Sequence, residues 1–276
     1  MSTLREKRKK ERRALRRRKT ADWTVVLILC AIAVCCGGYL IYHHWSVKQR
    51  ELEYEKLRQE ETLSAATETV IAEPETEEST EETVIYCDPV YDFGQLHEQN
   101  EDIYAWIVVP GTQVDYPLLQ SETDNYYLDY NLDHSKGYPG CIYTNQCNRK
   151  DFSDYNTVLY GHNMKNLSMF GSLKKYKTED FYKDHQFFTI YTSEYAYRYQ
   201  IFAYYDVPET DEVYTVGFAP DETFQKFIDK MKQKSYDDTG VNVTKDDHIM
   251  TLSTCSTTGK RFVVHAVRIG EHALEK

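Results

Sequence analysis

Cys255 closes the pentapeptide TLSTC, 21 residues before the end of this 276-residue chain, with Ser256, Thr257 and Thr258 behind it and Arg261 six residues on. A cysteine attacks carbonyl carbon as its thiolate, and nearby positive charge favours that form. In the apolar run HIMTLST, strand alternation sends Thr251, Ser253 and Cys255 to one side and Leu252 and Thr254 to the other. The competing reading is a packed core cysteine. The hydroxyl-rich surroundings, Ser253 and Thr254 above all, argue against a dry core.

A thiol nucleophile needs a proton carrier, and the chain offers nine histidines. His43 and His44 adjoin the longest apolar run, and His97, His134, His185, His248 and His272 lie in polar segments. His265 alternates within VVHAV, the pattern of a core or wall position. His162 differs, because NTVLYGHNM places it just past a strand end beside Gly161, where a rigid scaffold can project an imidazole into a cleft. A cation for a developing oxyanion is the third requirement. Arg261 and Arg268 sit seven residues apart on one strand and so face opposite sides. Arg261 shares its face with Val263, His265 and Val267, and alternation alone leaves open which face meets the site.

The elements that must position these groups begin near Val84, where the chain changes to short apolar runs broken by polar turns. A short helix is expected at FGQLHEQ. Strands are expected at AWIVV, QVDYPLLQ, GCIYT, NTVLY, FFTIY, EYAYRYQIFAYYDV, HIMTLST and RFVVHAVRI. SMFGSLKKY has helical spacing, and PDETFQKFIDKMKQKSY is the clearest helix, with Phe224, Phe227, Ile228 and Met231 on one face. Many short strands with few helices predict a mainly β fold, a barrel or sandwich with helical insertions.

The N-terminal part of the chain has another character. Residues 1–20 carry 11 Lys/Arg against 2 Asp/Glu, whereas the whole chain has a net charge of −11. The run Thr24–Tyr42 has no charge over 19 residues and, as a helix, would span roughly 28 Å, close to the hydrocarbon thickness of a bilayer. Trp23, Tyr39, Tyr42 and Trp45 flank it. The basic excess before it predicts a cytoplasmic N-terminus, a single pass and an external C-terminal body. An uncleaved anchor fits better than a signal peptide, which has a shorter apolar region and an A-x-A site. The basic head is then a topology signal, and nucleic-acid binding is not expected. Residues 43–83 read as a juxtamembrane spacer. Its first part suits an exposed helix, and its Glu/Thr-rich second part suits a solvated tether. Residues 84–276 form the expected external domain. Cys30, Cys35 and Cys36 lie in the span. The external Cys87, Cys141, Cys147 and Cys255 lack the paired C-x-x-C spacing of a structural zinc site, and a Cys141–Cys147 bridge stays open.

On these residues the chain resembles the sortases, membrane-anchored cysteine transpeptidases of Gram-positive bacteria, and within them class B. TLSTC matches the TLxTC signature, Tyr160-Gly161-His162 matches the histidine's context, and Arg261 in KRFVVHAV matches the arginine opening the next strand. WIVVPGTQVDYPLLQ, DNYYLDYN and GCIYTNQCN also look like class B segments, so the likeness spans about Phe93 to Ile269. The resemblance implies a closed β-barrel with helical insertions. It also implies Cys255 as nucleophile, His162 as general acid and base, and Arg261 as the group that stabilises oxyanion or substrate. Thr251, Ser253 and Thr254 are candidates for the substrate groove. One departure is the short gap from Cys255 to Arg261, which demands a tight turn.

The implied partners are the C-terminal sorting signal of a secreted protein, of NPxT or related type, and an amine from a cell-wall precursor or a pilin. No cofactor or metal is called for. Two other classes compete. A purely hydrolytic cysteine peptidase would share the thioacyl chemistry, although the histidine-before-cysteine order is opposite to the papain type. A tyrosine-rich binding module would leave His162, Cys255 and Arg261 without a joint role.

Overall fold

The computed structural model describes residues 2–65, 88–89, 91–255 and 259–274. The Glu/Thr-rich run, Cys87 and Ser256–Thr258 lie outside the described residues. Two compact units, Met1–Arg50 and Glu51–Lys276, divide the chain. The first belongs to helix α1 (Ser2–Ala65). Within Trp23–Gln59 it has a window of mean hydropathy 2.5, the one helix among the described residues long and apolar enough to cross a membrane.

The second unit is built on eight strands: β1 (Ile103–Val108), β2 (Asp115–Leu119), β3 (Ile142–Thr144), β4 (Asn156–Tyr160), β5 (Phe187–Tyr191), β6 (Tyr195–Pro208), β7 (Ile249–Cys255) and β8 (Lys260–Ala273). They close into a barrel in the order β1-β2-β3-β4-β7-β8-β6-β5. Closure leaves no free sheet edge, which is how an antiparallel-rich fold protects its backbone hydrogen bonds. Two neighbouring pairs, β2–β3 and β4–β7, are parallel. The expected barrel and all eight expected strands are present, so the barrel reading holds and the sandwich does not.

Helices decorate the barrel. They are α2 (Phe93–Gln99), α3 (Tyr126–Asp129), α4 (Glu179–Asp184) and α5 (Glu222–Lys234). Asp221 caps α5, its carboxylate accepting from the amides of Thr223 and Phe224 at 2.8 and 3.1 Å, so Pro220 precedes the helix rather than opening it. The helical spacing at SMFGSLKKY is realised as a 3-10 segment, Phe170–Lys177. Helices α3 and α4, of four and six residues, are too short to show a 3.6-residue period and were not expected.

Two apolar clusters result. The larger fills the barrel and takes Met250 and Leu252 from β7 and Phe262, Val264 and Ala266 from β8. The smaller packs α5, through Phe224, Phe227, Ile228 and Met231, on the outward face of the same wall, on Val263, Val267 and Ile249. His265 lies on that outward face, fully buried. A polar knot sits with it. Thr251 Oγ1 donates to Asn156 Oδ1 at 3.0 Å and therefore accepts from His265 Nδ1, also at 3.0 Å. Asn156 Nδ2 in turn donates to the carbonyl of Thr215 at 2.8 Å. Burial, aided by the charge of Lys234, holds the His265 pKa down to about 3, so the ring is neutral.

One difference concerns residues expected to form an exposed helix. Tyr54 and Leu57 of α1 are buried in the larger cluster, at 4% and 3% exposure. The segment from Glu51 thus presents one face to the barrel, with Tyr54, Leu57 and Arg58 at helical spacing.

Candidate active site

The parallel pair β4–β7 runs in register from Asn156 opposite Ile249 to Tyr160 opposite Ser253. Gly161 extends it by one bond, its amide donating to the Ser253 carbonyl at 3.2 Å. His162 is two residues past Tyr160, and Cys255 is two residues past Ser253. On the other side of β7, Cys255 pairs directly with Arg261 of β8. Three adjacent strands therefore bring His162, Cys255 and Arg261 to one end of the barrel wall, with backbones spaced at roughly 5 Å intervals across the sheet. Strands β7 and β8 run antiparallel up to this pair, and Gly259, just before β8, has φ +72°, a conformation glycine adopts without strain.

Local sequence explains the position of His162. Gly161 leaves little room for a side chain, since a Cβ there would meet Ile142 Cδ1 at 2.5 Å and the Phe170 ring at 2.9 Å. The His162 carbonyl accepts from the Phe170 amide at 3.0 Å, which ties it to the 3-10 segment. Its Nε2 lies 2.7 Å from the Leu128 carbonyl. A carbonyl can only accept, so Nε2 carries the hydrogen and Nδ1 of the neutral ring is left to take a proton. Tyr138 packs against the imidazole with ring centroids 4.8 Å apart.

Arg261 is half-buried and forms an ion pair with Glu209, Nη1 to Oε1 at 3.0 Å. Glu209 follows β6 by one residue, and the register sets Val207 of β6 opposite Arg261. The outward face of β8 is thus the face that meets the site, and Arg268, on the opposite face, pairs with Glu271 at 3.4 Å.

A groove of about 270 Å³ opens at this end, lined by His162, Ser253, Thr254 and Arg261 together with Tyr143, Tyr160 and Tyr214. The three tyrosines form a ladder, with centroids 5.3 Å apart from Tyr143 to Tyr160 and 6.0 Å from Tyr160 to Tyr214. Burial raises all three phenols, Tyr214 to about 12, so they remain neutral hydrogen-bonding groups. Tyr143 donates to Asn125 Oδ1 at 2.9 Å, Asn145 donates to the Tyr160 hydroxyl at 3.3 Å, and Tyr214 bonds Ser253 Oγ at 3.2 Å. Thr254 Oγ1 is buried and has no hydrogen-bond partner among the described residues. A groove of aromatic faces with a few amide and hydroxyl groups suits an extended peptide.

Of the three hydroxyl residues expected in the groove, Ser253 and Thr254 line it and Thr251 does not. Thr251 is turned into the polar knot with Asn156 and His265, beneath the outward face. The tyrosine ladder, Asn125 and Glu209 were missed. They come from separate segments of the chain, and only the single tyrosines of GCIYT and NTVLY hinted at them.

Comparison with known proteins accords with this arrangement. The sortase domain model matches residues 107–269. The chain is 39% identical over 163 residues to sortase B of Listeria monocytogenes, covering 59% of this chain and 66% of that one. It is 32% identical over 248 residues to sortase B of Staphylococcus aureus, covering 88% and 95%. A solved S. aureus sortase B–substrate complex superposes with TM-score 0.68 at 32% identity, covering 81% of this chain and 98% of that chain. The chain belongs to the sortases, the cysteine transpeptidases whose closed barrel it shares, and within them to class B.

Proposed function

We propose that this sortase cleaves the C-terminal sorting signal of secreted proteins and joins them to an amine of the cell wall or of a pilin. The observation that supports the assignment of roles is the strand register, which brings His162, Cys255 and Arg261 to one end of the barrel wall, beside a groove lined by His162 and Arg261. The Cys255 thiol passes its proton to His162 Nδ1, the thiolate attacks the scissile carbonyl, and Arg261 hydrogen-bonds the developing oxyanion. His162 delivers a proton to the leaving amine from Nδ1, while the Leu128 carbonyl keeps the ring oriented through Nε2. A thioacyl-enzyme results. The incoming amine attacks it, His162 takes back a proton, and the thiolate leaves.

The substrate complex of the S. aureus relative supports a peptide in the groove. Ser253 offers a hydroxyl to its backbone. The apolar run in α1 serves as the membrane anchor, with the basic head in the cytoplasm and the catalytic domain outside, near lipid-linked acceptors.

The test is mass spectrometry of the full chain in detergent with NPxTx-, LPxTG- and PPxTG-like peptides, with and without amines. A thioacyl mass on Cys255 and an amine-dependent ligated product are expected. Cleavage that no amine diverts would instead identify a hydrolytic peptidase.

A further inference from the structure

The loops on either side of His162 are both gripped from outside the barrel by one face of α1. The first, between α3 and β3, carries Tyr138, whose ring rests on the imidazole. Two residues on is Gly140, with φ +67° and so little room that a Cβ would sit 2.5 Å from the Tyr127 carbonyl oxygen and 3.0 Å from that of Leu128. The Leu128 carbonyl is the one that holds His162 Nε2. Gly140 thus backs the peptide that orients the imidazole, and its own carbonyl accepts a hydrogen bond from the buried Tyr54 hydroxyl at 3.2 Å.

The second loop, Asn163 to Met169, follows His162 directly. Asn166 Nδ2 donates to both carboxylate oxygens of Glu51, at 3.1 and 3.2 Å. Asn166 Oδ1 at the same time accepts from the Ser168 hydroxyl at 2.8 Å, which folds the loop on itself. At its far end the Met169 amide donates to the Tyr116 hydroxyl at 3.2 Å. Tyr116 meets Tyr54 edge-on at 5.1 Å and lies under the Arg58 guanidinium, 4.8 Å from its ring centre. Arg58 Nε also donates to the Asp115 carbonyl at 2.8 Å.

We propose that Glu51, Tyr54 and Arg58 form a positioning element of the active site, which sets His162 through the Tyr138–Gly140 and Asn163–Met169 loops. The juxtamembrane part of α1 is then a component of the catalytic apparatus and more than a spacer. It acts on the proton-transfer step, because its contacts converge on the histidine and not on the tyrosine ladder that lines the groove. A misplaced general acid lowers the chemical rate and leaves peptide binding largely intact. This inference rests on the transpeptidase roles proposed above for His162 and Cys255.

The experiment uses the full chain in detergent micelles and compares Tyr54→Ala, Tyr54→Phe and Phe227→Ala. Phe227 packs in the α5 cluster, so its variant supplies a loss of stability unrelated to His162. Tyr54→Ala is expected to slow single-turnover thioacylation about tenfold with peptide KM within about twofold. Tyr54→Phe, which keeps the ring on Tyr116 but loses the hydrogen bond to the Gly140 carbonyl, is expected to fall between wild type and Tyr54→Ala. Phe227→Ala lowers Tm and leaves the rate. A Tyr54→Ala rate equal to wild type, or a loss that Phe227→Ala matches at equal Tm, would overturn the proposal. Nitrogen-15 NMR of the His162 ring is the second readout and needs no turnover. Wild type is expected to show the Nε2-protonated tautomer and Tyr54→Ala a mixture, whereas an unchanged ring in Tyr54→Ala counts against the positioning role. Wild type that forms no adduct with any peptide would sink the transpeptidase reading, and the tautomer comparison would still decide the role of Tyr54.

Discussion

Glu209 holds Arg261 by an ion pair of 3.0 Å at the strand level where Arg261 pairs in register with Cys255. The ion pair holds the guanidinium at the groove that both residues line. Lysine would keep the charge but not the planar, multi-donor fork. Arg261→Lys is expected to lower kcat/KM for thioacylation about 100-fold, measured by single-turnover mass spectrometry. Glu209→Gln should cost less activity than Arg261→Lys. Because the pair is partly exposed, it should also change stability by less than about 1 kcal/mol. A Lys variant at wild-type rate would remove Arg261 from the mechanism.

Gly161 places His162 by default of a side chain. Gly161→Ala would force a Cβ against Ile142 and Phe170. The expected cost is about 1–3 kcal/mol of stability by denaturant titration. Activity should fall further than the stability loss explains, because the residue shifted is the neighbour of His162, the proposed general acid. Wild-type kinetics in a folded Gly161→Ala protein would contradict the close packing seen here.

The polar knot below the site is a structural test of its own. Thr251→Val keeps the shape and deletes the hydroxyl, leaving Asn156 Oδ1 and His265 Nδ1 buried with no partner in Thr251. A loss of about 2–4 kcal/mol is expected, since two buried polar groups are orphaned. A change under about 0.5 kcal/mol in equilibrium unfolding would show that water fills the gap.

His265 also makes stability depend on pH. Its folded pKa of about 3 lies below the unfolded value of about 6.5. Between those values the unfolded chain binds the extra proton. Its contribution is therefore complete above about pH 6.5 and is lost as pH falls toward 3, with a slope approaching about 1.4 kcal/mol per pH unit. His265→Gln should be less stable at pH 7 and show a shallower acid limb. Parallel limbs for the two proteins would mean that His265 titrates normally.

Much of this was legible in the chain itself. The eight strands follow from runs of alternating or continuous apolar residues, and α5 from the spacing of Phe224, Phe227, Ile228 and Met231. These patterns are local, and a strand or helix face is set by residues within a few positions of one another. The resemblance of YGH, TLSTC and the following arginine to the sortase motifs singled out His162, Cys255 and Arg261 from the sequence.

Only the tertiary structure decided how these residues meet. The β4–β7 pairing joins segments about 90 residues apart, and its register, which brings His162 level with Cys255, is written in neither segment alone. Closing the barrel fixed which side of β8 faces the site. That choice sent Arg261 to the groove and His265 beneath α5, and it turned Thr251 away from the groove toward Asn156. Tyr54 shows the same limit from the other direction. Amid the charges of VKQRELEYEKLRQEE it reads as one aromatic on a solvated helix, because the surface that buries it, Tyr116 and Gly140, lies more than 60 residues along the chain. Alternation and periodicity report which faces are apolar, whereas contacts across long sequence separations depend on the closed packing of the whole barrel.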